Sequence, residues 1–143
     1  MKLPVKRLDP QAQIPEYKTA GAAAFDLAVI ETKILAPGEI QFFRTGLVFC
    51  IPEGHFMLVA SRSSNAVKKG INLANGVGII DHDFCGENDE LRLVVQNITR
   101  ELVTISAGER VAQGIILPVE RAQLVEVERT GAPDRGDYGT TGR

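Results

Sequence analysis

Cysteine is scarce in this chain, and a basic excess, long apolar runs and low-complexity tracts are missing. Only Cys50 and Cys85 occur. Their spacing matches no metal site, and Cys50 lies in an apolar run where a free thiol packs well, so the expectation is two unlinked thiols in a reducing cytosol. Formal net charge is −2 and the pI is near 5.7, which leaves no electrostatic footprint for nonspecific binding to nucleic acid or to an anionic membrane. Any phosphate must therefore be met locally. No segment approaches the roughly 20 apolar residues of a membrane span, and Met1-Lys2-Leu3-Pro4-Val5-Lys6 lacks a signal-type apolar stretch, so a soluble, cytoplasmic protein is expected. No linker divides the 143 residues, a length that buries a substantial core in one domain without staples.

What the chain does contain is β-patterned. Short runs of β-branched and aromatic residues recur between turn signals at the spacing of an all-β sandwich or barrel. The expected strands lie within residues 2–8, 25–30, 34–36, 55–60, 71–74, 76–80, 90–98, 102–105, 111–119 and 123–127, with a bent pair over 40–51 broken at Thr45-Gly46. In residues 90–98 the alternation assigns faces: Leu91, Leu93 and Val95 point inward, Glu90, Arg92 and Gln96 to water. One short helix is expected over residues 61–70, with Ser63 or Ser64 as its cap and Lys68-Lys69-Gly70 at its end. Residues 1–128 form the domain, and 129–143 a tail rich in Gly, Thr, Asp and Arg.

The most distinctive stretch is Asn75-Gly76-Val77-Gly78-Ile79-Ile80-Asp81-His82-Asp83-Phe84-Cys85-Gly86. Its glycines allow close backbone approach, Val77, Ile79 and Ile80 favour burial on a sheet, and Asp81 and Asp83 fall where the strand meets a turn. Alone, the stretch reads first as a wet structural Asp turn. A calcium loop fails, because Cys85 and Arg92 stand at its fifth and twelfth positions. Arg62, Ser63 and Ser64 open the helix, where unpaired N–H groups carrying about half a positive charge attract phosphate; capping and a surface ion pair are the alternative. Gln113 alternates with Val111, Ile115 and Leu117 and needs either backbone partners or a polar site. In the tail, Gly136-Asp137-Tyr138-Gly139-Thr140-Thr141-Gly142 suits a lid, with a ring to stack on a base and Gly139 and Thr140 to meet phosphate oxygens.

Together these blocks resemble the trimeric dUTPase family. Residues 20–27 resemble its first block with Asp26 at the acidic position, Arg62-Ser63 the second, residues 75–86 the third, 108–113 the fourth and 136–142 the fifth. The resemblance implies a distorted jelly-roll protomer and a homotrimer with sites at subunit junctions, each closed by a neighbour's tail. It implies hydrolysis of dUTP to dUMP and pyrophosphate with Mg2+. It assigns Asp81 as the base, Asp26 to the Mg2+ hydration sphere, and Arg62, Ser63, Ser64 and Gln113 to the phosphates. Asn75 with the backbone around Gly78 and Ile80 would read uracil, Tyr138 would stack on it, and Phe84 would lie beneath the sugar. The sequence departs from the family in four places. Phe84 stands for a tyrosine, Asn65 for a leucine, and Glu87-Asn88-Asp89 form an insertion. Pro133 occupies the place of the arginine that meets the γ-phosphate, leaving Arg135 or Arg129 for that task. The related dCTP deaminases need a glutamate where Val94 stands, and a non-catalytic trimer would lack Asp81.

Overall fold

Antiparallel pairing between distant segments dominates the computed structural model, which describes residues 1–136. In chain order the strands are β1 (Val5–Arg7), β2 (Phe25–Ala28), β3 (Lys33–Leu35), β4 (Ile40–Arg44), β5 (Leu47–Phe49), β6 (His55–Ser61), β7 (Ile71–Leu73), β8 (Val77–Ile80), β9 (Arg92–Asn97), β10 (Val103–Ile105) and β11 (Arg110–Pro118). A four-stranded sheet runs β2-β11-β6-β8 and a three-stranded one β4-β9-β7, while β1 pairs with β5 and β3 with β10. This is the expected all-β jelly roll.

The core lies between the sheets. Leu27, Met57 and Val59 enter it from the four-stranded sheet, Phe43, Ile71, Leu93 and Val95 from the three-stranded one, and Leu35, Ile105, Leu47 and Phe49 from the two pairs. On β9 and the residue before it the alternation holds, with Leu91, Leu93 and Val95 all buried. Glu90 does not face water as expected. Its side chain is 6% exposed beside Arg44, and it accepts a hydrogen bond from the Gly46 N–H at 2.7 Å, because the positive φ of Gly46 turns that N–H inward.

Four other expectations change. The helix is a five-residue turn of π type, Asn65–Lys69, and Ser64 precedes it without a side-chain capping bond. Val77 and Ile79 are 49% and 56% exposed, since β8 is an edge strand whose outer face no other element covers among the described residues. Residues 123–127 form no strand, and Leu124, Val125 and Val127 lie exposed. Finally, Cys50 and Cys85 are not free thiols but a disulfide. The fold brings positions 35 residues apart within bonding reach, which spacing along the chain does not reveal.

Candidate functional site

The sheet register sorts the candidate residues into two groups. At one end, Asp26 on β2 pairs in register with Gln113 on β11, and Gln113 in turn with Ala60 on β6. Arg62 follows β6 and Arg110 opens β11, so both guanidiniums reach Asp26: Arg62 Nε lies 2.8 Å from Oδ1 and Arg110 Nη1 2.9 Å from Oδ2. Two cations on one carboxylate leave an excess positive charge beside a cavity of about 490 Å³ whose charged lining is Arg7, Lys18 and Arg110 against Asp26 and Glu16. Ser63 is exposed at this end and Ser64 half-buried.

Gln113 Nε2 donates to the Ser61 carbonyl at 2.9 Å, tying β11 to the start of the Arg62-Ser63-Ser64 segment. A bulge between Arg110 and Ala112 puts both Val111 and Ala112 in the core. Gln113 therefore shares its half-exposed side with Ile115 and Leu117 as expected, but not with Val111. Asn65 Nδ2 donates to the Val111 carbonyl at 2.6 Å, which holds the serine segment against the same strand from the other side.

The third block occupies β8 and its two flanks. Gly76, with φ of 72°, turns the chain between β7 and β8, and Asn75 lies exposed before it. Gly78 is closely packed, since a Cβ there would stand 3.2 Å from the Val59 Cβ, a tight contact. Asn75, Gly78 and Ile80 line a cleft of about 40 Å³. Beyond Ile80, Asp81 and His82 line a separate cavity of about 400 Å³ with Asp83, Phe56 and Arg121. The Phe84 N–H donates to the Asp81 carbonyl at 3.3 Å, closing a turn that carries the half-exposed Phe84 ring.

Asp81 and Asp26 differ sharply in their surroundings. Asp26 is paired twice, whereas the exposed Asp81 carboxylate has no hydrogen-bond or ion-pair partner among the described residues. They also lie at opposite ends of the sheet. Val77 pairs with Ala60 at the Gln113 level, while Ile80 pairs with Met57 and hence lies level with Ile116. At 3.3 Å per residue and 4.8 Å per strand, Asp81 sits about 16 Å from Gln113 within one chain.

Sequence reasoning missed Arg110, whose place in the fourth block was visible but whose reach to Asp26 depends on the β2–β11 register. Arg135 is exposed, and Tyr138, Gly139 and Thr140 lie outside the described residues. Among those residues no group of three His, Cys, Asp or Glu side chains could cage a metal ion, and Val94, at the deaminase position, is aliphatic and paired with Phe42.

These features define the class: an all-β jelly-roll domain with a cationic pocket at one sheet end and an unpaired carboxylate at the other. The dUTPase family matches residues 10–142, and the chain belongs to that family. It is 43% identical over 136 residues to the deoxyuridine 5'-triphosphate nucleotidohydrolase of an Anaeromyxobacter species, covering 94% of this chain and 90% of that one. It is 41% identical over 145 residues to the enzyme of the same name from Nautilia profundicola, covering the whole of both. Among solved structures, that of the Staphylococcus bacteriophage 80alpha dUTPase with dUPNHPP superposes with a TM-score of 0.87 at 25% identity, covering 99% of each chain.

Proposed function

We propose that the protein hydrolyses dUTP to dUMP and pyrophosphate, with Asp81 as the base that takes a proton from the attacking water. The observation that carries this reading is the contrast between the two block acids. Asp81 lines a cavity with no partner among the described residues, while Asp26 is held by Arg62 and Arg110. A general base needs position, a nearby water and a free lone pair. Asp81 retains all its lone pairs, and the Asp81–Phe84 turn fixes its backbone.

The reacting water attacks the α-phosphorus in line and passes its proton to Asp81, while Arg62, Ser63, Ser64 and Gln113 donate to the phosphates. Their preorganised donors favour the charge that gathers on the leaving pyrophosphate. Gln113 and Arg62 have existing partners, the Ser61 carbonyl and Asp26, which keep both side chains extended at the cationic end. Asn75, with the backbone about Gly78 and Ile80, reads the uracil edge. Phe84 presents its ring to the sugar, Tyr138 stacks on the base, Gly139 and Thr140 meet phosphate oxygens, and Arg135 or Arg129 takes the γ-phosphate.

Mg2+ fits as an ion that keeps its waters and arrives on the triphosphate, rather than one held in a protein cage. Each Asp26 oxygen accepts one guanidinium and so retains a lone pair for a metal-held water. When bound, the ion would spread the triphosphate charge.

The spacing supports a homotrimer with shared sites, the assembly expected of the family. With Asp81 about 16 Å from Gln113 in one chain, a junction that sets one copy's third block against another's cationic end brings the two groups to one phosphate chain. The test is pyrophosphate release from dUTP, UTP, dTTP and dCTP with and without Mg2+. Fast release from dUTP alone, dependent on Mg2+, is expected; equal turnover of UTP, or ammonia release from dCTP, contradicts the reading.

A further inference from the structure

Phe84 is flanked on both sides by ties of its backbone neighbours. The ring is 41% exposed and stacks on no other aromatic among the described residues. On one side lies the Asp81 turn. On the other, the next residue, Cys85, is bonded to Cys50 immediately after β5, with the two Cα atoms 5.0 Å apart.

A second tie reinforces the first. The Lys6 ammonium on β1 pairs with the Glu87 carboxylate and donates to the Glu87 carbonyl at 2.9 Å. Because β1 pairs with β5, Val5 against Phe49, both ties run to the same small sheet. Inside the loop the Gly86 N–H donates to Asp89 Oδ2 at 2.6 Å, and beyond it the Leu91 N–H donates to the Leu47 carbonyl at 2.8 Å. The inserted Glu87-Asn88-Asp89 segment is thus pinned to β1 and β5.

We propose that the Cys50–Cys85 disulfide is a positioning and specificity-determining element: it fixes the Phe84 ring against the sugar and so sets the preference for a deoxyribonucleotide over a ribonucleotide. This rests on the reading that Phe84 lies beneath the sugar. A 2′-hydroxyl is small, and a ring free to retreat by about 1 Å no longer excludes it. With the disulfide open, the described ties of the loop beyond Phe84 to the small sheet are the exposed Lys6 contacts with Glu87, of small worth, and the Leu91–Leu47 hydrogen bond at the loop's far end, six residues from Cys85.

A dithiol reductant opens the bond with balanced chemistry. Two electrons and two protons convert the disulfide to the Cys50 and Cys85 thiols, and the reductant leaves as its own disulfide. The experiment measures kcat and KM for dUTP and UTP on the oxidised protein, the dithiol-reduced protein, a Cys50→Ser/Cys85→Ser double variant and Phe84→Ala. Thiol titration monitors the bond and should find no free thiol before reduction. On reduction, and in the double variant, the UTP-to-dUTP ratio of kcat/KM should rise about tenfold, the lower range for a lost pocket contact. Reoxidation should restore it, and reduction should add nothing to Phe84→Ala. A ratio that reduction leaves unchanged while Phe84→Ala raises it overturns the proposal, as does a common fall for both nucleotides or free thiols in the untreated protein. A Phe84→Ala variant with the parent ratio removes instead the reading of Phe84 on which the proposal rests.

Discussion

A single added methyl group can show how tightly the cationic end is built. Gly114 follows Gln113 on β11, and a Cβ there would come within 2.6 Å of Phe25 Cε2 and 3.1 Å of Met57 Sδ. Both neighbours are buried, so the ring has little room to yield. Gly114→Ala should therefore lower stability by about 1–3 kcal/mol, read as a fall in the urea midpoint at unchanged slope. At this scale the sequence was informative where a residue's role depends on its immediate neighbours. The position of Asp81 after an apolar strand was legible for that reason. The Cys50–Cys85 bond, the Glu90–Arg44 pair and the double pairing of Asp26 were not, because each joins segments whose proximity exists only after folding.

Two turns show how elements are stabilised by the same local device. Both match Ala-x-Gly-Glu or its near form, at residues 36–39 and 106–109. In each, the Glu carboxylate accepts from the backbone N–H three residues earlier, Ala36 at 2.7 Å and Ser106 at 2.8 Å, while the Glu N–H returns a bond to that residue's carbonyl at 3.0 Å. Gly38 and Gly108 take the positive φ that closes them.

For Glu109, burial alone would raise the pKa, but the Lys69 ammonium and the Ser106 N–H outweigh it and hold the carboxyl below its ordinary range. With the folded pKa below the unfolded one, the stabilisation is complete above the ordinary carboxylate range and is lost as pH falls through the depressed folded value. Glu109→Gln should thus cost about 0.5–1 kcal/mol near neutrality and nothing once both states are protonated, a convergence that denaturation midpoints across acid pH will reveal.

Strand β9 was legible from its alternation, as was the break at Thr45-Gly46. Residues 123–127 carried the same kind of pattern without becoming a strand, because they find no sheet partner among the described residues. The helix came out shorter than its capping signals suggest, since Asn65 turns inward to the Val111 carbonyl rather than extending a solvent-facing first turn.

At the scale of the whole molecule, the proposed site is divided between copies of the chain. The family was legible because its blocks occur in order. The separation of Asp81 from Gln113 was not, because it depends on β8 and β11 flanking β6 in one sheet. Mixing Asp81→Asn chains with Gln113→Ala chains under conditions that exchange subunits should restore pyrophosphate release, since on random mixing about a quarter of junctions receive both native groups. Absence of any recovery, with exchange confirmed, would place the whole site in one chain.

The role of Asp81 is tested most directly by Asp81→Asn alone, which removes the proton acceptor and keeps the shape. Pyrophosphate release at saturating dUTP should fall by about 10²–10⁴-fold while dUTP binding persists. A turnover rate equal to that of the parent protein would contradict the assignment of Asp81 as the base.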